Sequence, residues 1–472
     1  MQLHIVHENV SSRHSFVHFF VLYMFLFILF FVFLRPVSKG LIMFRDIVKQ
    51  LVEWKNSTER KPLVVLGARQ VGKTYSLLEF GKRYYKHVAY INCDGNEQAG
   101  NLFAQDFNME RVLLSISAIT KKPVVPGETL IIMDEIQELQ KGLASLKYFC
   151  ENAPEYHVCV AGSLLGITLR HGESFPVGKV DIIKMFPMTF TEFLVARGMD
   201  MMAELLKKKD WYNLATLHSS LVQTLREYYL VGGMPEVVKA YLKTNDPNTV
   251  RKIQNTILLA YRNDISKHTT KEVSNRIGTV WRSMPSQLSK ENKKFIYGVA
   301  KKGGRAKDFE VAIQWLVDAG LVFKVGRVRS PQTPLKIYED LSAFKLYLFD
   351  VGLLGAMAEI DPVSLVLPNE MKEGKGMFTE NFVCTQLAVS IGQSLFYYSK
   401  ENSPLEIDFM VQKDAKVVPI EVKSEENLKS KSLSTFLGQH DNMNGIRFSM
   451  SQYREQERMT NVPLYGAGVY FT

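Results

Sequence analysis

An eight-residue loop between an apolar segment and a helical one constrains the fold more than any other feature. It fits the pattern G-x-x-x-x-G-K-[ST] without a mismatch, and its residues are Gly67, Ala68, Arg69, Gln70, Val71, Gly72, Lys73 and Thr74. Residues 63–66 are all apolar, which predicts a buried strand directly before the loop, and residues 75–84 have helical composition. In this order of strand, loop and helix, backbone N–H groups and the helix N-terminus are able to bind phosphate. The sequence therefore predicts a nucleotide phosphate-binding loop.

Two side chains of the loop carry chemistry of their own. Lys73 is expected to reach the β- and γ-phosphates, and the Thr74 hydroxyl is expected to ligate Mg²⁺. The predicted ligand is therefore ATP with Mg²⁺, and the predicted binding residues are the whole loop, 67–74. The alternative is a glycine-rich turn that contains Lys-Thr by chance. Such a turn would not need a buried strand directly before it and a helix directly after it, as this sequence has.

Two further apolar segments end in polar side chains. Residues 130–133 precede Asp134 and Glu135, and residues 158–161 precede Ser163 by two positions. Ligands of open α/β sheets bind at the carboxyl ends of strands. We therefore expect Asp134 to hold Mg²⁺, mostly through water, and Glu135 to orient or deprotonate the attacking water. Ser163 either senses the γ-phosphate or that water, or caps the next helix, and its spacing alone does not decide between the two.

The alternation of apolar and helical segments from residue 61 to 185 predicts the α/β class, with a parallel sheet covered by helices. Longer helical stretches follow, and then short helices and strands. The predicted organisation has five parts. These are an apolar extension (1–42), a nucleotide-binding core (43–190), a helical region (191–284), a winged-helix-like segment (285–343) and a small α/β domain (344–472).

The uncharged, phenylalanine-rich segment 16–34 leaves two interpretations open. As a helix it would be about 28 Å long, close to the hydrocarbon thickness of a bilayer. The basic residues Arg35, Lys39 and Arg45 would then keep the rest of the chain in the cytosol. Alternatively, translation starts at Met43, before an amphipathic segment, and the extension is not part of the working protein. The second interpretation predicts a cytoplasmic protein, which we take as the expectation, with a single membrane anchor as its alternative.

Composition adds constraints on the partners. The four cysteines form no C-x-x-C pair, which argues against a disulfide framework and a zinc site. The net charge of +10 favours acidic partners, nucleic acid above all, although the same excess also serves solubility. Arg305 and Lys307 precede the predicted helix 308–319 and suit contact with DNA phosphates. Docking of a protein and a solvated helix face remain alternatives.

Two alternating segments near the C-terminus, 405–411 and 417–423, predict a hairpin. Their apolar residues share one face, which leaves Asp408 on the other face of the first segment and Glu421 and Lys423 on that of the second. The hairpin gathers these three side chains on one side. There, Asp408 and Glu421 are able to hold Mg²⁺, and Lys423 to position a water. An ordinary half-solvated hairpin is the alternative.

These motifs resemble those of a group of prokaryotic AAA+ superfamily ATPases. Such proteins have an AAA-type core and a C-terminal region, formerly of unknown function, that is regarded as similar to PD-(D/E)xK nucleases. The resemblance covers about residue 43 to the C-terminus, and is carried by residues 67–74, 133–137, 161–163, 186–194, 232–238 and 344–354. It implies an AAA-like P-loop NTPase sheet, ATP binding, and Ser163 in the sensor position.

For the C-terminal domain, the resemblance implies a nuclease-like site of Asp408, Glu421 and Lys423, completed by Glu380 on the helix after Gly376. One departure is visible in the core. The relatives tend to have Gly-Arg shortly before the Pro-x-[ST]-Phe segment, where this chain has Gly178 and Lys179. Lysine lacks the planar fork of arginine. Slow hydrolysis, or a different arginine such as Arg170, is therefore left open.

The expected function is Mg²⁺-dependent ATP binding and hydrolysis, coupled to a C-terminal module that acts on DNA or binds a partner. The alternative is a slow nucleotide-dependent switch or scaffold without nuclease activity, anchored to a membrane if residues 16–34 are a real anchor. Apart from ATP, the candidate partners are DNA, another protein and further copies of the chain in an oligomer. The sequence does not decide among them.

Overall fold

The computed structural model describes residues 43–163, 176–267, 269–367, 374–400, 403–426 and 430–472, of which Phe44–Thr472 forms one compact unit. The apolar segment 16–34 and Arg170 lie outside the described residues, so the expectations about them stay predictions. Among the residues that are described, no helix is long and apolar enough to cross a membrane.

The first part of the described chain is a parallel five-stranded sheet with the order β2-β3-β4-β1-β5. Its strands are β1 (Leu63–Leu66), β2 (His87–Asn92), β3 (Thr129–Asp134), β4 (His157–Ala161) and β5 (Asp181–Lys184). Helices packed with it are α1 (Ile47–Asn56), α2 (Lys73–Tyr84), α3 (Glu97–Gly100), α4 (Met109–Thr120) and α5 (Gly142–Asn152). Strands β3 and β4 are buried along their whole length, as their unbroken apolar sequences predict. The predicted α/β class, with a P-loop NTPase sheet, is confirmed.

The middle of the chain is helical, as predicted. Its helices are α6 (Phe190–Ala196), α7 (Asp200–Lys207), α8 (Trp211–Thr216), α9 (His218–Val231), α10 (Pro235–Thr244), α11 (Pro247–Lys267) and α12 (Lys271–Leu288). Two further helices follow, α13 (Tyr297–Ala300) and α14 (Ala306–Asp318). Short 3-10 helices lie at Ile136–Glu138, Leu335–Tyr338 and Leu464–Gly466.

A mixed sheet of eight strands forms the last part, with the order β12-β13-β11-β10-β9-β8-β6-β7. The strands are β6 (Val322–Val328), β7 (Glu339–Leu348), β8 (Phe396–Ser399), β9 (Glu406–Lys413), β10 (Lys416–Val422), β11 (Gly445–Ser449), β12 (Arg454–Glu455) and β13 (Met459–Pro463). Its helices are α15 (Val351–Met357), α16 (Pro362–Val366), α17 (Lys375–Ile391) and α18 (Lys431–Gly438). A further α/β domain was predicted here, and a mixed sheet with helices is found.

The boundary predicted between residues 343 and 344 falls inside β7. Strand β6 pairs with β7 on one edge and, in parallel, with β8 on the other. Backbone groups on both edges of β6 are therefore satisfied within the C-terminal sheet, so the strands of the winged-helix-like segment belong to that sheet. Local sequence patterns could not reveal this, because β8 lies about 70 residues further along the chain.

A buried junction explains two of the motifs that carry the family resemblance, residues 232–238 and 344–354. The Asp350 carboxylate accepts a hydrogen bond from the backbone N–H of Gly233 at 2.6 Å. The Gly233 carbonyl in turn accepts one from the Met188 N–H at 2.7 Å. A Cβ at Gly233 would lie 2.2 Å from the Met188 carbonyl oxygen, so this close approach requires glycine. These contacts hold the core, the helical region and the C-terminal sheet together.

Candidate functional site

Glycines allow the predicted phosphate-binding loop to turn sharply between β1 and α2. Gly67 has a φ of +154°, and a Cβ there would lie 2.3 Å from the carbonyl oxygen of Met185. Gly72 has a φ of +96° directly before the helix. Side chains are strained in both conformations, which accounts for glycine at these positions.

Lys73 lies inside the loop that precedes it. Its Nζ donates hydrogen bonds to the carbonyl oxygens of Gly67 at 2.8 Å and Ala68 at 2.9 Å. Burial lowers the pKa of Lys73 to about 8, although the carboxylates of Glu135 and Asp134 act in the opposite direction. Phosphate oxygens would compensate this buried ammonium better than two carbonyl groups do, because the phosphate group is anionic and the carbonyl groups are neutral.

A hydrogen bond between two side chains joins the start of α2, directly after the glycines of the loop, to the end of β3. The Thr74 hydroxyl donates to Asp134 Oδ2 at 2.5 Å, and Asp134 is buried. Hydroxyl and carboxylate oxygens are hard donors of the kind that Mg²⁺ takes alongside nucleotide phosphates. The two predicted ligands of the nucleotide-bound Mg²⁺ are thus adjacent, and their chemistry fits that ion.

Glu135 and Ser163 lie side by side across the ends of β3 and β4. The backbone N–H and the hydroxyl of Ser163 donate to Glu135 Oε2 at 3.0 and 3.1 Å, and Gln137 Nε2 donates to the same oxygen at 2.6 Å. Glu135 has a φ of +52°, an unusual conformation for a residue with a side chain. Such backbone strain costs on the order of 1–3 kcal/mol and is concentrated at functional sites. These three hydrogen bonds fix the Glu135 carboxylate at the sheet edge where the attacking water is expected.

Arg45 also supports the loop, which no sequence pattern indicated beyond the positive charge of this residue. Its guanidinium donates to the carbonyl of Val71 at 2.6 Å, to the carbonyl of Phe186 at 2.7 Å, and to Glu192 at 3.1 Å. The side chain is buried, and its acidic partner is 147 residues away in the sequence. This arginine ties the loop to residues 186–194.

A second set of contacts reaches the loop from α11. Arg69 Nη1 donates to Asp264 Oδ1 at 2.5 Å, and the Tyr261 hydroxyl donates to the Arg69 carbonyl at 2.6 Å. A cavity of about 750 Å³ borders the loop at Gly67 and Ala68 and is also lined by residues 317–320 and 322–324. Its volume lies in the range of ligand pockets.

The structure places Lys179 away from the loop. Lys179 precedes β5 and pairs with Glu151, near the end of α5, at 2.8 Å. The strands are parallel, so this is the amino-end edge of the sheet, whereas residues 67–74 follow the carboxyl end of β1. Lys179 therefore does not reach the nucleotide loop of its own chain, and whether it serves in place of the expected arginine stays untested.

The C-terminal hairpin forms as predicted. Ile420 pairs with Phe409 in antiparallel register, which puts Asp408 opposite Glu421 on the same face. Asp408 Oδ2 accepts a hydrogen bond from the Val422 N–H at 2.8 Å, and Lys423 Nζ lies 2.6 Å from Glu421 Oε1. The predicted nuclease-like residues of the two strands are therefore neighbours.

Two lysines join this cluster that the sequence did not place there, although Lys293 belongs to a lysine-rich part of the predicted winged-helix-like segment. Lys293 Nζ lies 2.7 Å from Glu380, which also accepts a hydrogen bond from the Tyr347 hydroxyl at 3.1 Å. Lys345, only 1% exposed, pairs with Glu406 at 2.5 Å. A signal was available, since a lysine between apolar residues in the buried half of β7 needs a carboxylate partner. We call Lys293, Lys345, Glu380, Glu406, Asp408, Glu421 and Lys423 the carboxylate–lysine cluster.

The electrostatics of this cluster depend on the lysines. Burial, together with the Glu380 carboxylate, raises the pKa of Asp408 to about 8. Burial acts to lower the pKa of Lys345, but Glu406, Glu380 and Asp408 outweigh it and the pKa is raised.

The described residues contain no group of three or more histidine, cysteine, aspartate or glutamate side chains placed to hold a metal ion. As arranged, the lysines compete with a divalent cation for the same carboxylates. Mg²⁺ binding by Asp408 and Glu421 stays a prediction, and we assign no catalytic step to a metal there.

Three segments of the chain match known families. Residues 59–194 match the family model described as an AAA domain. Residues 222–364 match a domain of unknown function, DUF8612, and residues 375–465 match another, DUF4143. The nuclease-like character of the C-terminal domain is therefore not shown by its family match.

The chain is 26% identical over 211 residues to an uncharacterized protein of Haemophilus influenzae, which is 43% of this chain and 46% of that protein. The match thus spans about half the length of that relative.

Solved structures with similarity include a Walker-type ATPase of Pyrococcus abyssi (14% identity, TM-score 0.42, covering 69% of this chain and 98% of that one). Another is the RuvB Holliday junction branch migration motor of Thermotoga maritima (16% identity, TM-score 0.29, covering 64% and 94%). A third is the ORC1 protein of Aeropyrum pernix in complex with DNA (13% identity, TM-score 0.26, covering 68% and 93%). At these scores the fold assignment depends on the strand order, the loop geometry and the family match, which together show that residues 59–194 have a P-loop NTPase fold and are similar to the AAA domain family.

Proposed function

We propose that the chain binds ATP with Mg²⁺ at residues 67–74 and hydrolyses it. The observation that supports this best is the position of Glu135, fixed by two hydrogen bonds from Ser163, beside the pair formed by Thr74 and Asp134. Thr74 and Asp134 would hold the Mg²⁺ of the nucleotide, which supplies charge neutralisation at the phosphates. The site thus has one carboxylate for the ion and another for the water.

The reaction assigned to these residues is hydrolysis of the terminal phosphoanhydride bond. A water oriented by Glu135 attacks the γ-phosphorus, the bond from that phosphorus to the β–γ bridging oxygen breaks, and ADP and phosphate leave. Glu135 accepts the proton of the water. Lys73 exchanges its hydrogen bonds with Gly67 and Ala68 for phosphate oxygens and stabilises their charge.

Release of phosphate from ATP by the full chain, with and without double-stranded DNA, tests this function. We expect release that saturates with ATP and requires Mg²⁺. Binding of ATP without turnover would instead favour the slow switch, and lack of ATP binding would contradict both functions. Stimulation of the rate by DNA would favour a DNA-acting module over a protein-binding one.

A nuclease-like C-terminal module is the second candidate, and the shared face of Asp408, Glu421 and Lys423 favours it. If this face cuts DNA, Asp408→Ala and Lys423→Ala should each abolish cleavage measured on supercoiled plasmid with Mn²⁺ and ATP. Lys416→Ala, an exposed change on the same hairpin, is the matched control. No cleavage by the unmodified chain would mean that the hairpin is a scaffold. Equal cleavage by all variants would assign the activity to another site or a contaminant.

A further inference from the structure

Two side chains of the distant helix α11 contact Arg69 together. Its guanidinium pairs with Asp264 and its carbonyl accepts from Tyr261, one turn apart on α11. Tyr261 is buried, whereas the Arg69 side chain is 51% exposed. The backbone of Arg69 is therefore held by a buried hydroxyl, while its guanidinium pairs with Asp264 at a position open to solvent.

The guanidinium lies beside the residues proposed to hydrolyse ATP. Arg69, Ser163 and Asp264 line a common small cavity of about 10 Å³. Ser163 is bonded directly to Glu135. The hydrogen bond to Asp264 raises the pKa of Arg69, and the Glu135 carboxylate adds to that increase. The positive charge of Arg69 thus acts on the same space as the water-orienting carboxylate.

Phosphoryl transfer needs positive charge at the γ-phosphate oxygens. Negative charge spreads over these oxygens in the transition state, and an arginine placed there increases the rate by about 10³–10⁵-fold. Its planar fork suits two phosphate oxygens at once, which lysine cannot match. Lys179 does not reach this loop, and Arg45 is buried against the carbonyls of Val71 and Phe186 and the Glu192 carboxylate. Arg69, exposed beside Ser163, is a candidate for this charge.

We propose that Arg69 exchanges Asp264 for the γ-phosphate of ATP and acts as a catalytic residue in its own chain. This inference depends on the proposed ATP hydrolysis, whose residues surround it. When Arg69 moves to the γ-phosphate, Asp264 loses its partner at the loop. Asp264 on α11 is therefore paired with Arg69 when ADP is bound and not when ATP is bound. Helix α11 in turn packs against α15 next to the C-terminal sheet. The exchange therefore links the presence of the γ-phosphate to the helical region.

The test compares the full chain with its Arg69→Ala, Arg69→Lys and Asp264→Asn variants. It measures kcat for ATP and the affinities for ADP and a non-hydrolysable ATP analogue. For Arg69→Ala we expect kcat to fall by at least about 100-fold, because the charge on the γ-phosphate oxygens in the transition state loses its arginine partner. The preference for the ATP analogue over ADP should fall by about 10-fold. Arg69→Lys should recover only part of both losses. Asp264→Asn should strengthen binding of the ATP analogue but not of ADP, because Arg69 no longer has a charged competitor.

Arg83→Ala, an exposed change on α2, is the control and should match the unmodified chain. Unchanged kcat and unchanged ATP preference in Arg69→Ala would overturn the inference. Equal weakening of both nucleotides by Arg69→Ala and Asp264→Asn would overturn it too, since it would indicate a purely structural pair. If the unmodified chain binds ATP without turnover, the proposed hydrolysis fails, while the ATP preference of the variants still decides whether Arg69 contacts the γ-phosphate.

Discussion

The Glu135→Gln variant is expected to bind ATP with nearly unchanged affinity and to lose about 10²–10⁴-fold in hydrolysis rate. Glutamine keeps the shape of the side chain that Ser163 and Gln137 contact, but it cannot accept the proton of the attacking water. The measurement is phosphate release under single-turnover conditions, together with the affinity for a fluorescent ATP analogue. Glu138→Gln, an exposed change in the short 3-10 helix that directly follows Glu135, is the matched control. Hydrolysis at the normal rate by Glu135→Gln would assign the water-orienting role elsewhere.

The Lys73→Ala variant separates binding from turnover in the same assay. Charge-assisted hydrogen bonds contribute about 1.5–3 kcal/mol each, so loss of two phosphate contacts should weaken ATP binding by about 100-fold or more. The alanine variant also removes a buried ammonium, so its fold must be checked by circular dichroism. A folded Lys73→Ala chain with normal ATP affinity would contradict the assignment of the loop.

The core could be predicted because its signals are local. The loop, the strand before it and the helix after it occupy residues 63–84 without interruption, and Asp134 and Glu135 directly end a second strand. The edge at which they meet follows from the rule that ligands of parallel sheets bind at strand carboxyl ends. No information about distant residues was needed.

The supporting contacts could not be predicted in the same way. Arg45 reaches Glu192 across 147 residues, and Arg69 reaches Asp264 across 195. An arginine on its own looks the same in the sequence whether it is solvated or buried against a distant carboxylate. Only the tertiary packing distinguishes the two.

The C-terminal domain lies between these cases. Alternation within β9 and β10 was enough to place Asp408 and Glu421 on one face, since the period of a strand is fixed. The sequence did not show that β7 carries Lys345 to the same cluster, because the order of strands in a mixed sheet is not a local property. The shared face of Asp408 and Glu421 was predicted correctly, but the positive charge that Lys345 brings to these carboxylates was not.

Lys345→Met should destabilise the protein by about 3–5 kcal/mol, the cost of removing one partner from a buried ion pair. Methionine fills a similar volume, but it leaves Glu406 without its partner at 2.5 Å and takes a positive charge away from Glu380 and Asp408. The free energy of unfolding is measured in urea at pH 7 by tryptophan fluorescence. Lowering the pH should reduce the loss, because protonated carboxylates no longer need a cation.

Lys324→Met is the matched control, because Lys324 lies on the neighbouring strand β6, is exposed and contacts the Phe344 ring. We expect it to cost less than about 1 kcal/mol. Removal of the competing ammonium should also strengthen binding of Mn²⁺ to the carboxylate–lysine cluster of Lys345→Met, measured by isothermal titration. If Lys345→Met and Lys324→Met were equally stable, Lys345 would not be needed to compensate the negative charge of the carboxylates in the cluster. If Lys345→Met were unstable but still bound no Mn²⁺, the carboxylates would serve the fold alone, and a metal-dependent nuclease could not operate there.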